Sequence, residues 1–553
     1  MMKYYQAKIS VFLVFSLFVV NLSFSQNFFN QSQIHGDFQL DAMYYQQDSS
    51  IGAKSVPEKA LMNGYGNITY TNGSFSAGMR YECYLNPLQG YDSDYKGTGI
   101  PYRYASFTKD NFDITIGNFY EQFGAGLVYR TYEDKNLGYD NAMDGIKIRY
   151  TPINGLTFKG IWGYQRRYWS RGPGIVRGLD VDFSINDAFK KLKDKKTKFI
   201  VGGSFVSKYQ ESLDNIYKMP ANVATYGGRL NLIRGGFNFY AEYAQKINDP
   251  EANNNKIYKQ GEALLVQTSY SKKGIGVFLS AKRLDNMDFR SDFNARGNIL
   301  NINYLPAITK QHTYTLVAYY PYGTQPNGEM GVDAQVTLNL KKGSKLGGKY
   351  GMNISVDFSR INSIYKEKIE ENIPIDSTGT LGYKSPFFKI GDEEYFQDFN
   401  IEITKKLSKK FKLIFAFYYI NYNSKIIEGH DKGMIYASIP VVDLTYYITP
   451  TKALRAEFQY LATQQDDRDW INGLLEFTIA PKWFFTIMDS YNYNNPLPEK
   501  RLHYYYGSVA FTKGSSRISL SYGRQRAGIV CVGGVCRAVP ASNGVTLSIT
   551  SSF

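Results

Sequence analysis

The last ten residues, 544–553, constrain the fold more than any other segment of the chain. Val545, Leu547, Ile549 and Phe553 share one parity, and Gly544, Thr546, Ser548, Thr550 and Ser552 share the other. A β-strand turns successive side chains to opposite faces, so this is a strand with one greasy face and one small, polar face. The same split recurs far upstream. In 332–340, Val332, Ala334, Val336, Leu338 and Leu340 oppose Asp333, Gln335, Thr337 and Asn339. In 146–150, Ile146, Ile148 and Tyr150 oppose Lys147 and Arg149, and in 237–243, Phe237, Phe239 and Tyr243 oppose Asn238 and Glu242. In 471–479, Ile471, Leu475, Phe477 and Ile479 oppose Asn472, Glu476 and Thr478, with Leu474 breaking the pattern. Helical periodicity is confined to a short stretch at 186–193.

A soluble sandwich alternates too, so composition has to decide. Mean hydropathy is −0.36, yet aromatics make up 16% of the chain, with 48 Tyr and 36 Phe. Many polar faces here consist of small residues, Asn, Gln and Thr, and Tyr gathers at strand ends. That is the pattern of a membrane barrel, with lipid outside, water inside and an aromatic girdle at each interface. A terminal aromatic such as Phe553 commonly closes outer-membrane barrels and is read by the machinery that assembles them. The predicted fold is all-β, a transmembrane antiparallel β-barrel.

The N-terminus carries an address. Lys3 and Lys8 precede an apolar run from Ile9 to Val20, and Ser23 and Ser25 then supply small residues before Gln26. This is the order of a secretory signal peptide, predicted over 1–25, with the barrel over 26–553. The apolar run is shorter than the ~20 residues that span a bilayer as a helix, which argues against an anchor. At ~20 residues per strand with its connection, the mature chain supplies 22–28 strands, 26 being the central estimate. A barrel this wide encloses a lumen. Alternating sequence begins at 34–45, which leaves no room for an N-terminal plug. Inward loops, a partner or an open pore are the remaining ways to treat the lumen. The irregular stretches 86–101, 361–394 and 523–543 are the candidate inward or extracellular loops.

Chemical signals are sparse. Cys531 and Cys536 bracket Val532-Gly533-Gly534-Val535, and a tight reversal at the two Gly brings the thiols together, so a disulfide is expected in an oxidising envelope. The third cysteine, Cys83, falls in the strand-like segment 74–85. The four His, at 35, 312, 430 and 503, lie apart from any nucleophile motif, so no catalytic site, cofactor or metal is expected. Asp92-Ser93-Asp94 and Asp466-Asp467-Arg468-Asp469 lack a full calcium ladder and read as solvated loop tips. Net charge is +15, or +13 without Lys3 and Lys8. Lys147, Arg149 and Lys282 have inward parity, and a basic lumen would favour anions. Lysine-rich turns such as 190–196 are the other place for the excess. Beyond Tyr522, Arg524 and Arg526 continue the lipid-facing parity, where anionic head groups lie, or else belong to a solvated loop.

Two stretches resemble a known group. One is Asn118-Phe119-Tyr120-Glu121-Gln122-Phe123-Gly124-Ala125-Gly126-Leu127, continuing through Arg130-Thr131-Tyr132-Glu133 and Leu137-Gly138-Tyr139-Asp140-Asn141. The other is Arg524-Gln525-Arg526-Ala527-Gly528 with Gly533-Gly534-Val535-Cys536-Arg537 and Val539-Pro540. Together they resemble an uncharacterised family of Bacteroidota outer-membrane barrels, which implies location and fold and no activity. The segment around Glu121 and Arg130 reads either as a lumenal constriction or as a packing element. The functional expectation is a porin-like channel occluded by loops or a partner. The alternative is a structural subunit of a secretion or assembly complex. Expected partners are outer-membrane lipid and lipopolysaccharide, the barrel-assembly machinery through Phe553 and an envelope protein, with no nucleic acid.

Overall fold

The structure, a computed structural model, describes residues 32–212 and 214–553. The signal-peptide expectation over 1–25 lies outside the described residues. Twenty-four strands form one antiparallel sheet that closes on itself. The first, Ser32–Tyr45, pairs with Ala60–Asn72 on one side and with the last, Ser542–Ser552, on the other. Closure gives every wall strand two neighbours and leaves no edge strand, which is the condition for a sheet to cross lipid.

The seam is specific. Register runs from Asp37↔Ser552 to Tyr45↔Gly544. Phe553 extends it by exchanging both backbone hydrogen bonds with Gly36, at 2.9 and 3.1 Å. A Cβ on Gly36 would strike the Phe553 ring, so the glycine leaves the place where that ring lies.

Side chains obey the alternation. Ile146, Ile148, Tyr150, Val332, Leu475, Leu520 and Val545 are exposed on the outer face. Their polar neighbours Asn63, Glu82, Asp180, Glu242, Lys282 and Asp333 are buried inside. A greasy exterior over a polar interior inverts a soluble protein and fits a barrel in lipid.

The strand number falls two below the central estimate of 26, and the difference has a physical source. Residues 286–328, between Ile275–Asp285 and Glu329–Leu340, do not join the wall. They fold into the lumen, as do residues 120–142 between Phe112–Phe119 and Met143–Ile153. Connections at one end, such as those at Gly73, Gly235, Gly274 and Gly514, are short, and most of the long ones lie at the other. The predicted helix at 186–193 resolves into one turn of α-helix, Ile185–Ala188, followed by a 3₁₀ turn, Lys190–Leu192.

Candidate functional site: a lumen filled by its own loops

The interior core is built jointly by wall and loop. Phe289, Phe293, Ile302, Leu305, Leu316 and Val317 of the 286–328 loop are buried with Phe123, Leu127 and Tyr129 of the 120–142 loop. Wall residues from Ile161 round to Trp470 complete the cluster. Each large apolar side chain buried this way contributes about 1.5–3 kcal/mol relative to exposure. The loop is therefore a packed plug made from the middle of the chain.

Charged pairs fix the inward loops to the wall. Glu82, on Phe75–Tyr84, accepts from Arg80 Nε at 2.7 Å and from Arg166 at 2.6 and 2.8 Å. Both arginines also hold Asp140 of the 120–142 loop, Arg166 at 2.6 Å. Burial pushes Asp140 up, and the two guanidinium groups overcome it and hold the carboxyl below its usual range. Two strands further round the wall, Lys208 of Thr197–Tyr209 meets Asp249 at 2.8 Å, and Lys246 Nζ donates to the Asp288 carbonyl. Glu251, fully buried beside them, is pushed well above the ordinary carboxylate range by burial first and by the charge of Asp288 second. His312 meets Asp398 at 2.7 Å where the loop crosses the strand Ile390–Lys406. Such pairs add little net stability, but breaking one strands a buried charge, so they specify where the loop sits.

The disulfide hairpin closes the arrangement. Cys531 and Cys536 are bonded and sit directly opposite each other on a two-stranded ladder, Gly528–Val532 with Val535–Val539. Gly533 and Gly534 have φ of 58° and 93°, the positive pair that a two-residue hairpin turn needs. Their carbonyls receive hydrogen bonds from the plug: Tyr304 Oη at 2.8 Å and Ala307 N at 3.2 Å to Gly533, and Thr324 N at 2.9 Å to Gly534. Asn298 Nδ2 donates to the Cys536 carbonyl. A Cβ on Gly533 would strike the Tyr304 hydroxyl, and one on Gly534 would strike Thr324 Oγ1 and Ala307 N. On its other side the hairpin carries Arg537 over the Tyr91 ring at 4.7 Å. The hairpin is thus a latch seated on the plug, with a cavity of about 280 Å³ between them lined by Lys310, His312, Tyr320, Ile529 and Cys531.

The remaining sequence-predicted residues fall as follows. Glu121 lies inside, 3.0 Å from Lys159 and 3.7 Å from Lys147. Arg130 is sandwiched between the Tyr132 and Tyr304 rings at 4.4 and 4.0 Å. Arg149 lines a polar cavity of about 760 Å³ near the short-turn end, with Lys159, Asp182, Arg229 and Gln267. There Arg229 is held by Asp180 at 2.8 Å and Asp182 at 2.6 Å. Lys147 and Lys159 thus share the carboxylate of Glu121, and Arg229 has two carboxylates beside it. Lys282 contacts Glu329 inside.

Arg524 and Arg526 have protein partners. Arg524 keeps the parity of Tyr522, pairs opposite Asn543, and has its Nε 2.8 Å from Asp48 and its guanidinium over Tyr505 at 5.1 Å. Arg526 lies beyond the final ladder pair Gln525↔Ser542, where strand parity no longer applies. It reaches Asp467 at 3.0 Å and Asp466 at 3.5 Å, over the Tyr319 and Trp470 rings. Asp466 and Asp467 are consumed by this contact and by Lys432 at 2.6 Å. Asp92 accepts from Tyr168 Oη at 2.6 Å. Among the described residues no group of His, Cys, Asp and Glu is arranged to hold a metal ion.

The sequence matches, over residues 5–553, a family described as a family of unknown function, DUF6029. The chain belongs to this family. No curated protein matches it by sequence. Among solved structures it is similar to the siderophore receptor PirA from Pseudomonas aeruginosa, at 9% identity and TM-score 0.40, covering 94% of this chain and 80% of that one. It is also similar to the P pilus usher PapC translocation pore, at 9% and 0.39, covering 94% and 99%. A third is OccAB3 of Acinetobacter baumannii, at 8% and 0.35, covering 95% and 100%. Nothing about activity follows from likenesses this distant.

Proposed function

We propose that this protein is an outer-membrane channel of a Gram-negative bacterium, of the Bacteroidota by its resemblance, held shut at rest by its own 286–328 loop and latched by the Cys531–Cys536 hairpin. The observation that carries the reading is the plug. A wall of twenty-four strands is far more than a solid barrel needs, and the interior space it creates is occupied by chain anchored through pairs such as His312–Asp398 and hydrogen bonds rather than through covalent continuity of strands. Anchors of that kind can be exchanged, and a moving loop then opens a polar path to the cavity around Arg149 and Arg229. In this reading the short turns face the periplasm, the latch faces the exterior and no catalytic step is involved.

A filled lumen also suits a barrel that serves as a rigid subunit of a secretion or assembly complex. Solute efflux separates the two. Vesicles loaded with a small sugar and carrying the mature protein are expected to leak slowly with the native chain. Leakage should be fast when residues 288–325 are replaced by a Gly-Gly bridge, a replacement made feasible by the 2.9 Å hydrogen bond from Met287 N to the Pro326 carbonyl. A folded, bridged barrel that still retains the sugar favours the structural role, and co-purification of a stoichiometric envelope partner from native membranes would then identify the complex.

A further inference from the structure

Unpaired lysines are densest on two neighbouring turns at one end of the barrel. Elsewhere many cations meet carboxylates, Arg80, Arg166, Lys208, Arg229, Arg283 and Arg526 each having an acidic oxygen within 3.1 Å, and the unpaired lysines of the long-loop end are spread over separate loops. The short-turn end is different. Lys341, Lys342, Lys345 and Lys349 occupy the turn between Glu329–Leu340 and Met352–Ile364. Lys405, Lys406, Lys409, Lys410 and Lys412 surround the next turn at that end, between Ile390–Lys406 and Phe411–Asn423. These two turns carry nine lysines and no acid. They touch, Lys405 Nζ donating to the Leu346 carbonyl at 3.4 Å. None of the nine forms an ion pair among the described residues. At the tips, Leu346 is 68% exposed and Leu407 51%.

Their height on the barrel is informative. Phe107, Tyr270, Phe411 and Trp483 are exposed on the outer face at this end, and a lysine lies one or two residues beyond each: Lys109, Lys272, Lys410 and Lys482. At about 3.3 Å per residue, the ammonium groups begin roughly 3–7 Å past the aromatic girdle that marks the edge of the hydrocarbon. That is the layer of head-group phosphates. Flexible lysines interspersed with exposed leucines match a surface that is anionic above and apolar below.

We propose that the short-turn end is a docking surface for anionic phospholipid head groups of the leaflet it faces, with the nine-lysine patch as its strongest part. This goes beyond the channel reading and requires only that the barrel spans a bilayer. Each lysine close to an anionic surface is worth about 1 kcal/mol, and the attraction fades over a Debye length of about 10 Å at 0.1 M salt. The binding is therefore strong in sum and sensitive to salt. An acidic protein segment is the competing occupant. It is disfavoured because Lys109, Lys272, Lys410 and Lys482 lie on four separate turns around the rim, each just past an outer-face aromatic.

The test uses the mature barrel folded in a zwitterionic detergent, with folding verified by heat-modifiable gel mobility. Native mass spectrometry records retention of phosphatidylglycerol against phosphatidylcholine of the same chains. A variant carrying K341Q, K342Q, K345Q, K349Q, K405Q, K406Q, K409Q, K410Q and K412Q is compared with a control carrying K54Q, K59Q, K218Q, K368Q, K425Q and K500Q at the long-loop end. The native chain is expected to prefer phosphatidylglycerol by roughly tenfold or more, with the preference lost in the nine-site variant and kept in the control. Should the nine-site variant fail to fold, the four substitutions at 341–349 alone are expected to weaken the preference by about threefold or more. No preference in the native chain, or an unchanged preference in a folded patch variant, overturns the proposal. Displacement of phosphatidylglycerol from the patch by oligoglutamate at equal charge overturns it in favour of an acidic protein partner.

Discussion

Tyr304 donates its hydroxyl hydrogen to the carbonyl of Gly533 at 2.8 Å, and a Cβ on Gly533 would occupy the position of that same hydroxyl. One contact thus joins the loop that fills the lumen to the hairpin closed by Cys531–Cys536, and glycine at the turn leaves room for it.

The neighbouring Gly534 gives a controlled test of that fit. Gly534→Ala meets both a φ of 93° and contact with Thr324 and Ala307, whereas Gly514→Ala meets a φ of 59° in open space. The backbone term, about 1 kcal/mol, is common to both. Gly534→Ala is expected to cost about 1–3 kcal/mol more, because well-packed surroundings resist an added methyl. Limited proteolysis should show the 286–328 loop cut faster in Gly534→Ala and unchanged in Gly514→Ala.

Removing the disulfide acts on the same latch. Cys531→Ser with Cys536→Ser releases a constraint on a six-residue loop worth about 2 kcal/mol. The twenty-four-strand wall does not depend on it, so heat-modifiable mobility should persist while deuterium uptake rises across 528–539 and in the 298–307 stretch that contacts it. Unchanged uptake in 298–307 would show that the hairpin does not brace the plug.

Buried and exposed ion pairs should differ sharply. Glu82→Gln leaves Arg80 and Arg166 partly unmatched in the interior, and about 3–5 kcal/mol of stability is expected to be lost. Asp144→Asn removes a pair with the half-exposed Arg171 at 2.9 Å and should cost less than about 1 kcal/mol. Thermal midpoints of the two variants, measured in one detergent, decide whether the interior network matters as described.

Glu251 predicts a pH dependence. Its pKa is raised in the folded protein, first by burial and then by Asp288, so it folds in its neutral form. The stability it contributes is fully present below the ordinary carboxylate pKa, and it is lost as pH rises through the raised folded value. Lys246 and Lys208 oppose the shift and Asp249 reinforces it. Glu251→Gln keeps the neutral shape, so its thermal midpoint should stay flat over the range above the ordinary carboxylate pKa where the native chain declines. Parallel profiles for the two proteins would remove Glu251 as the cause.

How much of this was legible in the sequence depends on what each pattern reports. Two-residue alternation at 146–150, 332–340 and 544–553 gave the correct inner and outer faces, because wall strands face lipid on one side and water on the other. The Cys531–Cys536 pair and the turn between them were legible because the chemistry is local. The plug was not. Its stretch from Asn298 to Leu305 alternates Leu300, Ile302 and Tyr304 with Asn301 and Asn303 much as a wall strand would, and alternation shows that a segment has two faces without showing which solvent each one meets. Counting ~20 residues per strand therefore turned residues 286–328 into two extra strands. Arg166 as the partner of Glu82 and Asp140, and Asp467 as the partner of Arg526, were hidden for another reason, since each lies in a distant element that only the fold brings close.

The central claim, a channel closed by its own loop, is tested most directly by planar-bilayer recording of the mature protein beside the barrel in which a Gly-Gly bridge replaces residues 288–325. The expected result is an almost silent native chain and large, stable, stepwise currents from the bridged barrel. A bridged barrel that is folded and inserted yet passes no current would contradict it.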